Sequence, residues 1–224
     1  MKIPITKQRI RNHFHYSLWK YALLVVIALF GWNLIYTSTR YQSPENLKVE
    51  FYGEVGATAT KDLQGLADQI HAQLMPEMEE VTATEITYDD TYGDMQLMVW
   101  VSAAQGDIYL LSNKRFQSLA ENGALMDLQP YVDNGTLNAS GLSLDGGYVS
   151  NADTGKTVLC GIPADHLPLL ADYGLVTSGA TLCILANNGN DEYSLKFLNY
   201  LLTHMQAGDA SVEATTAPVV TNVP

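Results

Sequence analysis

The chain has 224 residues, 47% of them hydrophobic, and a formal net charge of −12. That length holds one ordinary domain with appendages, and that hydrophobic share excludes a disordered chain. Residues 1–40 hold six of the twelve Lys and Arg and no acid, so residues 41–224 carry −18, a balance that offers no basic groove and argues against nucleic-acid binding.

From the N-terminus, a basic flank (1–17) with Lys7, Arg9 and Arg11 precedes the apolar run 18–36, LWKYALLVVIALFGWNLIY. As a helix, that run spans roughly 28 Å at about 1.5 Å per residue, close to the hydrocarbon thickness of a bilayer. Lys20 stands where its stem can reach the headgroups, and Trp19, Tyr21, Trp32 and Tyr36 suit interfacial belts. A cleaved signal peptide is the alternative; the run is long for one, and YTSTRYQ is a poor cleavage site. The excess of Lys and Arg before the run predicts a single-pass anchor in the bilayer, with a cytoplasmic N-terminus and residues from about 41 onward outside the cell.

Beyond the run, residues 37–46 are polar, contain Pro44 and read as a stalk. A strand is expected over 47–55. The stretch 57–78 follows and holds a helix, with Leu63, Leu66, Ala67, Ile70 and Leu74 at helical spacing, Thr60 as its cap, Asp62 in its first turn and Pro76 ending it. A β-branched strand (81–88) leads to a second helix (93–106), apolar on most sides and expected to be well buried. A third strand (107–111) runs into a helix capped by Ser112, with Phe116, Leu119 and Ala120 inward and Gly123 stopping the chain. This alternation predicts an α/β fold with a mostly parallel sheet flanked by helices. The Gly-, Asn- and Ser-rich stretch 134–155 reads as surface loop. Strand-like runs at 156–163 and 180–187 precede a last helix over 191–205, for which Asn190 is the expected cap. Residues 208–224 read as a disordered tail.

Four segments in order carry a resemblance to a known family. They are FYGEV with its helix, then DIYLL running through to ENGALMDLQPYV, with Asp107, Ile108, Ala120, Gly123, Leu125 and Leu128 at the motif positions, then GKTVLCGIPAD, and finally LCILANNGNDEYSLKFLNYLL. Together they are similar to the first lobe of the extracellular solute-binding proteins of ABC importers. The resemblance implies a periplasmic-binding-protein-like lobe over 47–207, a small polar solute as ligand, an ABC permease or other membrane protein as partner, and a Gram-positive bacterial setting. One departure is large. Where the family builds a whole second lobe, this chain has only residues 166–178, too few to bury a core of their own. The expectation is a single lobe with a half-cleft open to water.

In such sheets ligands gather at the carboxyl ends of the strands, here loops 53–58, 89–93 and 112–113. Tyr52, Glu54, Asp89, Asp90, Tyr92 and Ser112 are the polar and aromatic candidates for ligand binding there. YDDTYGD lacks the spacing of a calcium loop, so no metal is expected. The five histidines stand apart, and no nucleophile elbow or phosphate-cradling loop occurs, which predicts neither an enzyme nor a cofactor. Cys160 and Cys183 permit one disulfide outside the cell, and two small buried hydrophobes explain their apolar runs equally well. The rival to a solute-binding-type protein is a non-catalytic interaction ectodomain that docks a neighbouring membrane protein and has lost ligand binding.

Overall fold

The computed structural model describes residues 7–39, 43–87, 92–150, 155–186 and 189–207. The chain divides into two compact units, Met1–Gln42 and Ser43–Pro224. The first holds one helix, α1, over Lys7–Thr39. Within it, Leu18–Thr39 is long and apolar enough to cross a membrane. A signal sequence near an N-terminus has the same character. The helix outruns its apolar stretch into the residues read as stalk, and Thr39 Oγ1 donates back to the carbonyl of Ile35 at 2.7 Å.

The second unit opens with a 3₁₀ turn, Glu45–Leu47, and continues as β1 (Lys48–Glu54), α2 (Leu63–Leu74), β2 (Glu80–Ile86), α3 (Gly93–Ser102), β3 (Ile108–Ser112) and α4 (Asn113–Glu121). Next come α5 (Gln129–Asp133), β4 (Tyr148–Ser150), β5 (Thr157–Leu159), β6 (Gly161–Pro163), β7 (Ala180–Ile184) and α6 (Asp191–His204), with 3₁₀ turns at Ala164–His166 and Pro168–Tyr173. Five strands form one sheet in the order β2-β1-β3-β7-β6. β1 runs parallel to β2 and β3, while β7 runs antiparallel to β3 and β6, so the fold is mixed α/β with one reversed strand.

Alternation along β1 divides the interior between the two faces of this sheet. Val49 and Phe51 point into a core shared with Leu66 and Ile70 of α2 and Phe197 and Leu201 of α6. The Phe51 and Phe197 rings lie 5.4 Å apart across it. On the other face Tyr52 packs against a second core of Tyr109, Leu111, Phe116, Leu119 and Cys183, covered by α3 and α4. Each side chain buried outright contributes about 1.5–3 kcal/mol.

Five local expectations are corrected. Asp62, not Thr60, caps α2, its carboxylate accepting from the N–H groups of Gln64 and Gly65, because Thr60 is engaged elsewhere and donates through Oγ1 to the carbonyl of Asp172 at 3.0 Å. Ser112 and Asn190 start α4 and α6 without a side-chain capping bond. Asn190 instead sends Nδ2 to the carbonyl of Lys48 at 2.7 Å, tying α6 to β1. The stretch expected as surface loop contains β4, which pairs with β5. Most consequential is α3. Only Gly93 and Leu97 are buried, while Met95, Met98 and Val99 are 67%, 44% and 64% exposed. Leu97, Trp100 and Val101 make one stripe at helical spacing against the sheet, which leaves the remaining apolar residues on the solvent side. The stretch 208–224 lies outside the described residues.

Candidate functional site

The carboxyl ends of β1 and β3 are adjacent because these strands pair in parallel, Gly53 opposite Leu110. Glu54, last in β1, therefore stands beside Ser112, last in β3. Its Oε2 accepts the Ser112 N–H at 2.8 Å, and its Oε1 accepts from Arg115 Nη1 at 2.7 Å. The two side chains of this ion pair are 13% and 15% exposed, which shields the charges from much of the solvent. Arg115 also donates from Nη1 to Ser112 Oγ at 3.5 Å and from Nε to Asp94 Oδ1 at 2.9 Å. Lys114 reaches the other oxygen of Asp94 at 3.4 Å. The hydrogen bond from Arg115 is the main cause that holds the Asp94 carboxyl below its usual range. The result is a polar chain, Ser112–Glu54–Arg115–Asp94–Lys114, running from the sheet edge to the first turn of α3.

Tyr52 sits two residues back on the same face. Its ring stacks on Tyr109 at 5.2 Å and leans on Trp100 at 5.4 Å. Tyr52 thus belongs to an aromatic pile under α3. Tyr92 opens α3 and is 68% exposed. Asp89 and Asp90 lie outside the described residues. Of the expected candidates, the structure brings Glu54 and Ser112 into direct contact, with Tyr52 alongside. Arg115 and Asp94, which join them, went unrecognised from sequence. The one available signal was that Lys114 and Arg115 are adjacent cations in a stretch of chain that holds few.

Beside this chain α3 and α4 enclose a small open pocket of about 130 Å³, lined by Asp94, Leu97, Met98, Arg115 and Ser118 among others. Sites for drug-sized ligands measure about 300–1,000 Å³.

The other side of β1's carboxyl end is not open. Residues 166–178 contribute Leu167, Leu170 and Leu175 to the main core. They then cross the carboxyl end of β1. Val55 and Leu175 form an antiparallel bridge. Gly56 N–H donates to the Gly174 carbonyl at 2.8 Å, Thr60 N–H to Asp172 at 2.7 Å, Val176 N–H to Glu54 at 2.9 Å, and Asn113 N–H to Gly179 at 2.9 Å. Leu175 lies so close over β1 that a Cβ on Gly53 would be 2.4 Å from its Cδ2. The expectation of a half-cleft open to water is corrected for this part of the edge: the short segment has no core of its own because it shares the lobe's.

A second titratable cluster lies at the opposite end of β1. Asp107, 5% exposed, accepts from the Glu50 N–H at 2.6 Å and from Asn190 Nδ2 at 3.4 Å. Burial pushes its pKa up to about 6, against the pull of those hydrogen bonds. Cys160 and Cys183 are free and buried. Burial raises both thiols, and Cys183 Sγ donates weakly to the Tyr109 carbonyl at 3.6 Å.

No protein-family model and no curated protein matches this chain. Solved structures do. A family 1 extracellular solute-binding protein of Alicyclobacillus acidocaldarius is 18% identical, with 56% of this chain covering 29% of that one at a TM-score of 0.40. An ABC substrate-binding protein of Listeria monocytogenes, in complex with cycloalternan, is 18% identical, with 51% covering 28% at 0.37. An N-glycan transport solute-binding protein of Streptococcus pneumoniae, in complex with Man5GlcNAc, is 17% identical, with 59% covering 30% at 0.39. All three are solute- or substrate-binding proteins. They are of the kind that the sequence motifs resemble, and the match spans about 30% of their length.

Proposed function

We propose that this chain is a membrane-anchored extracellular lobe of solute-binding type, without catalytic activity, that serves uptake or sensing of a small polar solute beside an ABC permease or another membrane protein. Residues 18–36 are the anchor in this reading, and the lobe faces outward. The observation that carries it is the polar chain Ser112–Glu54–Arg115–Asp94 at the carboxyl edge of β1 and β3, with a small pocket at its side. That pocket is too small to enclose an oligosaccharide or peptide, so a partner supplies the second wall.

The test is calorimetry on the full chain in detergent micelles against sugars, amino acids and short peptides, together with crosslinking in whole membranes. The chain alone is expected to bind in the millimolar range or weaker, about −4 kcal/mol at 1 mM. Crosslinking is expected to capture a transport or sensing protein. Micromolar binding by the isolated chain removes the need for a second wall. Failure to bind any solute with or without the captured partner overturns the solute reading.

One observation favours a second reading, an ectodomain that docks a neighbouring membrane protein. Tyr92, Met95, Met98 and Val99 expose a contiguous apolar stripe on α3, the kind of surface that marks an interaction site. A crosslink through position 95 with no solute bound would choose it.

A further inference from the structure

We propose that the segment from Leu167 to Gly179 is a built-in cover that occupies the ends of β1 and β3 and holds them shut in the free lobe, where a solute would otherwise meet them. The proposal rests on the reading above for one step only, that a solute comes to this edge of the sheet.

The contacts are those of an occupant. Two of the three loops expected to meet a ligand give their backbone groups to this segment. In the loop after β1, the N–H groups of Gly56 and Ala57 donate to the Gly174 carbonyl, and those of Thr60 and Lys61 to the Asp172 carbonyl. After β3, the Asn113 N–H donates to Gly179, and its side-chain oxygen accepts from Thr181 Oγ1 at 3.0 Å. N–H groups at the ends of strands are the donors a polar solute would use, and here the chain itself has taken them.

The close approach is also specified in the sequence. Gly53 leaves room for Leu175, which is 2% exposed. Gly56 leaves room for Val176, whose Cγ2 would be 2.7 Å from an added Cβ. Gly174 has φ +79°, and a Cβ there would stand 3.0 Å from the Ala57 carbonyl oxygen, so this turn of the cover needs glycine twice over. Lys61 pairs with Asp172 at 3.4 Å on the outside, and the Leu169 N–H reaches the carbonyl of Met205 beyond α6. The cover is therefore fastened at the loop, at the strand ends and at the last helix. It is not a flap hanging from two hinges.

The consequence for function is competition. Solute and cover need the same backbone donors, so occupancy of this edge requires the cover to leave, and whatever loosens the cover raises affinity.

The experiment is amide hydrogen exchange on the full chain in detergent micelles, with and without Leu175→Ala, followed by calorimetry of both against the same solute panel. In the unaltered chain the amides of Gly56, Thr60, Asn113 and Val176 are expected to exchange at least 100-fold more slowly than in an unstructured peptide. In Leu175→Ala their exchange is expected to rise at least 10-fold while the β1–β2 amides keep theirs. A panel solute should then bind at least 10-fold more tightly to the variant. Exchange of those four amides at free-peptide rates in the unaltered chain overturns the cover, whatever binds. Slow exchange with no solute bound by either protein leaves the cover standing and defeats the solute reading instead. Gly174→Ala serves as the loosened form if Leu175→Ala does not fold, and the exchange of the unaltered chain decides the question if neither does.

Discussion

Asp107 gives the lobe a pH dependence that can be worked from the structure. Its carboxyl is buried between the starts of β1 and β3 and the head of α6, with Glu50 and Lys48 as nearby charges. Burial raises the folded-state pKa to about 6, well above the ordinary carboxylate value that holds in the unfolded chain. The proton therefore binds the folded lobe more tightly than the unfolded chain, and stability falls as pH rises between these two values. The gap between the folded and the ordinary value is worth roughly 3 kcal/mol, fully lost above pH 6–7 and absent as a cost below about pH 4. The perturbation is Asp107→Asn, which keeps an oxygen for the Glu50 N–H and removes the charge. Urea unfolding of residues 43–224 from pH 4 to 7.5 should show the variant gaining about 3 kcal/mol relative to the unaltered lobe across that range. Taking the difference cancels the histidines, which titrate in both proteins. A difference that stays constant with pH would refute the reasoning and mean that Asp107 ionises as an ordinary carboxylate.

Three further outcomes are expected. Arg115→Ala strands the half-buried Glu54 carboxylate with the Ser112 N–H and should cost on the order of 2–3 kcal/mol in urea unfolding, with part of it regained in Glu54→Gln/Arg115→Met; no loss would class the pair with weak surface ion pairs. Alkylation without reductant should add two labels to the unfolded chain and label the native chain slowly, since Cys160 and Cys183 are free and buried; an unlabelled unfolded chain would mean a disulfide. Protease added to intact cells, with any wall removed, should digest residues beyond about 41 and spare an epitope placed before Leu18, whereas a soluble, N-terminally trimmed lobe would identify the apolar run as a signal sequence.

The elements whose sequences carry a clear period were readable from residues alone. The stripe Leu63, Leu66, Ala67, Ile70 gave α2, and Phe116, Leu119, Ala120 gave α4, because helices with one apolar face report which face is buried. α3 misled for the converse reason. Its apolar residues surround the helix, so periodicity names no inner side, and only the placement of β1 and β3 beneath it selects Leu97 over Met95. Thr60 was the expected cap of α2 and Asp62 a first-turn residue; Asp62 caps it instead, because Thr60 is engaged by the carbonyl of Asp172, far away in sequence. The candidate site divides the same way. Glu54 and Ser112 followed from the rule about strand ends, while Arg115 became visible only once the parallel register of β1 and β3 set Glu54 opposite it. The cover was opaque because nothing in HLPLLADYGLVTS states where its leucines will land.

β7 has a consequence for how the lobe is made. It is the last strand among the described residues, yet it takes an interior place between β3 and β6, with Ile108 paired to Ile184. A chain that emerges from its N-terminus can therefore zip β1 to β2 and β3 early, but the far edge of β3 keeps open hydrogen bonds until residue 184 has arrived. Unpaired strand edges are where nascent chains join one another, and pairings this distant in sequence form slowly. Any version of the lobe cut short before Ile184 would leave a hydrophobic strand, IYLLS, with a raw edge. Such fragments should be recovered as aggregates or proteolysed, which makes completion of the C-terminal half the checkpoint for the whole lobe.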